Sequence, residues 1–320
     1  MYGLGPRKEI PAVAYHNALN RTSARGRLPS SDRLDAQGEH VDHVRGAASC
    51  NASSWTWTPR ACDFYPWDSD AFCAAIGSGL LLVGDSLTSQ MFHSVKAILA
   101  ALPPPNGGRR GDKTREGWWD ERICGGGARL TFVRNNALSL ATRADTPLER
   151  GFLKPWIDRL HQHDVVVLNT GTSATGAPAE IADVISRAVD HALANTPLTT
   201  TIVYRDTPFG HDRCAAHKGG EPLASNAAAE EWLERHPGPA RYNWSNIPKV
   251  NAAARRALED RLRHPSRLLW LPAASISATR IDAHPANAHP ATDCLHYCMP
   301  GPVDAWTHAL FHLLATKPLN

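Results

Sequence analysis

Short apolar runs alternate along the chain with longer segments of helical spacing. Leu80–Val83 (LLLV) is bounded by turn residues and reads as a buried strand. Met91, Val95, Ile98 and Leu99 then recur at helical spacing until Pro103-Pro104-Pro105 stops the helix. Residues 103–127 read as loop, with Trp118-Trp119 inside it, and Arg129–Val133 as a strand. Leu148–His161 is predicted helical, interrupted near Pro155. Val165–Leu168 (VVVL) is the clearest buried strand, followed by a helix over about 179–194 and a strand at Thr200–Tyr204. A long loop containing Gly210, Gly219 and Gly220 leads to an amphipathic helix at Ile247–Arg263. A last strand at Arg267–Leu271, a proline-rich loop and a helix at Val303–Leu314 complete the pattern.

This alternation predicts an α/β domain whose central, mostly parallel sheet is covered on both faces. Residues 1–48 are polar, rich in Arg, Ser and Gly, and lack periodicity. They are expected to form a partly disordered arm ahead of one domain over 49–320. There is no internal repeat.

Composition narrows the function classes. Charged residues make up 20% of the 320-residue chain and the formal charge is +3, with basic residues scattered, which argues against nucleic acid as a partner. No apolar window reaches the roughly 18 residues of a membrane span. The seven cysteines, Cys50, Cys62, Cys73, Cys124, Cys214, Cys294 and Cys298, form no C-x-x-C pair. Spread along the chain, they suit long-range disulfides worth about 2–4 kcal/mol each. Asn20-Arg21-Thr22, Asn51-Ala52-Ser53 and Asn243-Trp244-Ser245 are glycosylation sequons. Cysteines and sequons together predict the secretory route, Golgi lumen or extracellular, with a leader or anchor outside this sequence. His284, His289, Cys294, His296 and Cys298 lack the regular spacing of a metal site, so none is expected. Most of the sixteen histidines are expected to be exposed.

In a parallel sheet, ligands bind beyond the carboxyl ends of the strands. The residues there include Gly84-Asp85-Ser86, Asn135, Asn169-Thr170-Gly171 and Arg205. Ser86 opens a helix, where it is either a cap or a nucleophile; the two roles are compatible. His296 is the candidate base, and Asp293, three residues earlier, the candidate group that orients it. The Ser86 N–H and the Asn169 amide are candidate oxyanion donors.

Several blocks resemble one family. GDSL at residues 84–87, NTG at 169–171 and DCLHYCMPGPVDAW from Asp293 are similar to the plant trichome birefringence-like proteins and the wider PC-esterase group of the SGNH/GDSL hydrolase-like superfamily. WTWTPRACDFYPWDSDAF from Trp55 and YRDTPFGHDRC from Tyr204 add to the likeness. The resemblance implies a three-layer αβα fold of SGNH, flavodoxin-like type, with a loop-rich, disulfide-linked N-terminal arm. It implies a Ser86–His296–Asp293 triad acting through an acetyl-serine intermediate on polysaccharide or glycan hydroxyls. Gly84, Asp85 and Gly171 become structural, and Asn135, Arg205, Trp118 and Trp119 candidate substrate contacts. Disulfides Cys50–Cys298 and Cys214–Cys294 are likewise implied, with the partners of Cys62, Cys73 and Cys124 open. No bound cofactor is implied, only an acetyl donor as co-substrate. Thr88-Ser89-Gln90 departs from the plant continuation x-R-N-Q, and Thr172-Ser173-Ala174 replaces its His and paired Trp. Carbohydrate O-acetyltransferase is the leading expectation. An O-acetylesterase of the same fold and a catalytically silent carbohydrate-binding scaffold are the alternatives. The sequence sets no oligomeric state.

Overall fold

A computed structural model describes residues 64–99, 118–143, 152–170, 176–217, 220–263, 267–285 and 293–317. The arm predicted over 1–48 lies outside them, as do Cys50 and Gly171. Six strands form one sheet: β1 Gly79–Gly84, β2 Trp118–Ile123, β3 Ala128–Arg134, β4 Val165–Leu168, β5 Thr201–Arg205 and β6 Leu268–Leu271. Their order is β2-β3-β1-β4-β5-β6. All neighbours are parallel except β2, which runs antiparallel to β3 at one edge. The chain passes from β1 outward to β3 and then crosses to β4 on the other side. The direction of winding therefore reverses between β1 and β4, where sheets of this kind leave a crevice for ligands.

The eight α-helices of the described residues are α1 Ser69–Ile76, α2 Ser86–Leu99, α3 Pro178–Ala194, α4 Asn226–Arg235, α5 Ile247–Ala257, α6 Glu259–Arg263, α7 Ala273–Ser277 and α8 Pro302–Ala315. Side chains alternate across a strand, so β1 feeds two separate cores. Leu80 and Leu82, with Val165, Val167 and Val203, pack among Phe72, Met91, Phe92 and Leu310 from α1, α2 and α8. Leu81 and Val83, with Val166, Leu168 and Ile202, pack among Ile185, Val189 and Val250 from α3 and α5. Burial on both faces is why these strands read as unbroken apolar runs.

Four elements differ from the sequence expectation. Residues 118–123, expected as loop, are the edge strand β2, which pairs along its whole length with β3 and is tied to it by an Arg129–Asp120 ion pair of 2.7 Å. The helix expected at 148–161 is replaced, over its described part, by a bridge at Leu153 and a 3₁₀ segment Ile157–Gln162. Pro155 explains this, since it lacks an N–H and disfavours helical backbone at the residue before it. α4 falls inside the expected long loop and is capped by the Ser225 hydroxyl, which accepts from the Ala228 N–H. The helix expected over 247–263 divides into α5 and α6 at Leu258.

Two disulfides link described residues. Cys73–Cys124 ties α1 to the turn after β2, and Cys214–Cys294 ties the loop after β5 to the C-terminal segment. The second is the pairing implied by the family likeness. Cys298 is disulfide-bonded as well, while its expected partner Cys50 is outside the described residues.

Candidate active site

Ser86 is the first residue of α2, separated from β1 by Asp85 alone. The capping work is done one residue earlier. The Asp85 carboxylate accepts from the N–H groups of Leu87 (3.0 Å) and Thr88 (3.2 Å), and its carbonyl accepts from Ser89. Asp85 thus takes the cap that the sequence left to Ser86, and the serine hydroxyl is free for another partner. Gly84 is required by crowding: a Cβ there would lie 2.3 Å from Thr88 Oγ1 and 3.1 Å from the Asn169 carbonyl oxygen.

That other partner is His296. Its Nε2 lies 2.7 Å from Ser86 Oγ, and its Nδ1 lies 2.7 Å from Asp293 Oδ2. An ionised carboxylate only accepts, so Nδ1 carries the hydrogen and Nε2 is left to accept from the serine. Asp293 Oδ1 accepts from the N–H groups of Leu295 and His296, both at 3.0 Å. Burial pushes the Asp293 carboxyl up, but the charge and hydrogen bonds of His296 and the two backbone donors outweigh it. The group is held well below the usual carboxylate range. The arrangement can carry a proton away from Ser86 while its oxygen attacks an electrophile.

The segment bearing His296 is neither helix nor strand, and it is fastened at every main-chain polar group over a short run. The His296 N–H goes to Asp293, and the His296 carbonyl accepts from His284 Nδ1 at 2.6 Å. Gln90, one turn along α2 from Ser86, grips both polar groups of Tyr297: its Nε2 donates to the carbonyl (2.7 Å) and its Oε1 accepts the N–H (3.1 Å). The Cys298 N–H donates to the Ala283 carbonyl. The Tyr297 hydroxyl reaches the Phe209 carbonyl, and the Cys214–Cys294 bridge holds the segment's other end. No motif marks Gln90, His211 or His284 for these roles; both histidines are buried beside this segment, whereas most histidines are expected to be exposed.

Three other expected site residues have different work. Arg205 is wholly buried beneath the Gly84-Asp85-Ser86 turn. It donates to Thr88 Oγ1 at 2.8 Å, lies 3.8 Å from Asp85 Oδ1, and sits 4.9 Å over the Trp306 ring. It has no face for a substrate. Asn135 is also wholly buried. Its amide donates to the carbonyls of Ser139 and Lys154 and accepts from the Ser139 N–H, which closes the turn after β3 and corrects the substrate-contact expectation. The Asn169 amide donates to the Arg205 carbonyl (3.0 Å) and Thr207 Oγ1 (2.9 Å), so both its hydrogens are committed to joining the ends of β4 and β5. Trp118 pairs with Val133 and Val133 with Val83, which puts the start of β2 at the same end of the sheet as Ser86. Trp119 is half-buried there against Phe92, His93 and Phe132.

A mostly parallel α/β sheet with a hydrogen-bonded Ser–His–Asp set beyond its carboxyl ends defines an architecture used by serine hydrolases and acyltransferases. Residues 232–313 match the family described as "PC-Esterase: GDSL/SGNH-like Acyl-Esterase family found in Pmr5 and Cas1p". The chain is similar to Protein YLS7 of Arabidopsis thaliana, 24% identical over 329 residues that cover 82% of this chain and 62% of that protein. It is also similar to Protein trichome birefringence-like 42 of the same plant, 24% identical over 301 residues, 84% of this chain and 80% of that protein. A shorter stretch of 100 residues is 31% identical to Protein trichome birefringence-like 39, covering 30% of this chain and 24% of that protein. The chain thus spans less than two thirds of the length of YLS7. These matches support the PC-esterase, trichome birefringence-like family for this chain. No helix of the described residues is long and apolar enough to cross a membrane, and no three His, Cys, Asp or Glu among them are placed to hold a metal ion.

Proposed function

We propose that the protein is a carbohydrate O-acetyltransferase that passes an acetyl group through Ser86 to a polysaccharide or glycan hydroxyl. The observation that carries this reading is His296 bridging Ser86 and Asp293 with a 2.7 Å contact on each side. Ser86 Oγ attacks the acetyl carbonyl of the donor while His296 Nε2 takes the hydroxyl proton. Asp293, kept ionised, stabilises the resulting imidazolium. The negative oxygen forms at the amino end of the 14-residue helix α2, where the Ser86 N–H is the donor assigned to it. Asn169, its amide hydrogens committed elsewhere, supports the strand ends that frame this position. Collapse of the tetrahedral species expels the donor's alkoxide, which leaves with the proton held by His296. In the second half-reaction an acceptor hydroxyl gives its proton to His296 and attacks acetyl-Ser86, restoring the free serine.

The acyl-esterase family description supports this chemistry. The disulfides support a secretory setting, and residues 49–320 are read as one catalytic domain. Water in place of the sugar would make the protein an esterase, which the family description favours as the second reading. The two separate in one experiment: an activated acetyl ester supplied with and without a panel of polysaccharides. Acetylated polymer formed at the expense of free acetate supports the transferase. Acetate release unaffected by every polymer supports the esterase, and no turnover of any kind refutes both.

A further inference from the structure

Two buried histidines outside the Ser86–His296–Asp293 set form a chain that ends on it. His211 Nε2 lies 2.7 Å from the Ala278 carbonyl oxygen, and His211 Nδ1 lies 2.7 Å from His284 Nε2. His284 Nδ1 lies 2.6 Å from the carbonyl oxygen of His296. Carbonyl oxygens only accept, so each outer nitrogen needs a hydrogen, and the nitrogen–nitrogen contact needs one more. Three contacts require three hydrogens, whereas two neutral imidazoles own two. Burial pushes His211 down to about 4 and His284 down to about 3, so the pair is one hydrogen short at neutral pH.

The surrounding charges do not reverse this. Asp282 favours a charge on His211 and His217 opposes it; Asp293 favours one on His284, while His211 and His296 oppose it. Asp282 is itself neutralised by Arg280, which binds both its oxygens at 2.9 Å. With His211 anchored on Ala278, the one hydrogen of His284 has two destinations. On Nδ1 it holds the His296 main chain and leaves the lone pairs of His284 Nε2 and His211 Nδ1 facing each other. On Nε2 it goes to His211 and leaves two lone pairs facing each other at the His296 carbonyl.

We propose that His284 is a positioning residue for His296, holding its carbonyl through Nδ1–H, and that His211 competes for that hydrogen. The proposal rests on His296 being the general base of the proposed acyl transfer. His284 also stacks on Tyr297, with ring centroids 4.6 Å apart, so a packing role has to be told apart from a hydrogen-bonding one. Two substitutions do so, because His284→Phe keeps the ring and loses the donor, whereas His284→Asn loses the ring and keeps an N–H where Nδ1 stood.

With an activated acetyl ester, His284→Asn is expected to retain kcat within about 3-fold. His284→Phe is expected to lower kcat by about 10-fold or more with KM unchanged. The opposite order would overturn the proposal in favour of packing. A readout independent of turnover is the low-field proton NMR signal of the His296–Asp293 hydrogen bond, expected to survive in His284→Asn and to broaden or move upfield in His284→Phe. An unchanged signal in a folded His284→Phe protein would also overturn it. If that protein does not fold, His211→Phe decides through the ring ¹⁵N shifts of His284. Removal of the competitor is expected to raise the share of the Nδ1–H tautomer, and no change would count against the proposal. Should wild type turn over no ester while the NMR signals follow the stated order, the acyl-transfer reading fails and the positioning role stands.

Discussion

The two sides of the site are built in different ways. Ser86 is placed by regular structure: a buried strand, a glycine that lets Thr88 and Asn169 close in, and an Asp cap at the start of a long helix. His296 is placed by ties from distant parts of the chain, namely Gln90, His284, the Ala283 carbonyl and the Cys214–Cys294 bridge. A strand-to-helix junction is rigid because its backbone bonds repeat. An irregular segment is only as rigid as the individual bonds that hold it. Function here depends on making the second kind of element as well fixed as the first.

The largest expected effect tests whether the two sides act as a unit. Ser86→Ala and His296→Ala should each lower kcat on an activated ester by about 10⁴-fold or more, and the double substitution should cost little beyond either alone. Additive losses would mean that the two residues do not share a step. Next comes the contrast between disulfides. Replacing both Cys214 and Cys294 by Ser should reduce stability by about 2–4 kcal/mol and also reduce kcat, because the bridge holds the His296 segment. Replacing Cys73 and Cys124 by Ser should affect stability alone. Equal kinetic effects from the two would erase the proposed difference between the sides.

A smaller effect is expected from Gln90→Leu, which strands the buried N–H and carbonyl of Tyr297 at a cost of about 1–3 kcal/mol each. Chemical denaturation would read the stability loss and steady-state kinetics a fall in kcat. An unaltered kcat would show that this tie does not position the base. The smallest effect is on pH dependence. His211, His284 and His308 all have their values lowered by burial, to about 4, about 3 and about 4. Each therefore contributes stability that is complete above the unfolded value near 6.5 and declines as pH falls through the folded one. Asp206, raised by burial to about 6, works in the opposite sense. Thermal melts of His308→Phe should show less loss of stability between pH 6.5 and 4 than wild type; a steeper loss would contradict the assignment.

The same contrast explains what could be read from the chain. The strands at Leu80–Val83 and Val165–Leu168 and the helix after Ser86 were legible because their signals, unbroken apolar runs and helical spacing, are local. Strand β2 was not, since Trp-Trp-Asp-Glu-Arg-Ile has no alternation and becomes a strand only by pairing with β3. Ser86 and the Asp293–His296 pair, with His296 lying 210 residues from the serine, were singled out through motifs and are joined by hydrogen bonds. Arg205, Asn135 and Asn169 sit at strand ends as expected, but that position is equally suited to groups that lock strand ends together beneath a site. The roles of Gln90, His211 and His284 were not legible because they consist of contacts with residues far along the chain.

The central claim is that Ser86, activated by His296, accepts an acetyl group. Intact-protein mass spectrometry after brief exposure to an activated acetyl ester tests it most directly, with Ser86→Ala alongside. One acetyl group on the wild-type protein, mapped to Ser86 by peptide sequencing and absent from the variant, is the expected result. An acetyl group of equal yield on both proteins, or on neither while the ester is consumed, would contradict the account.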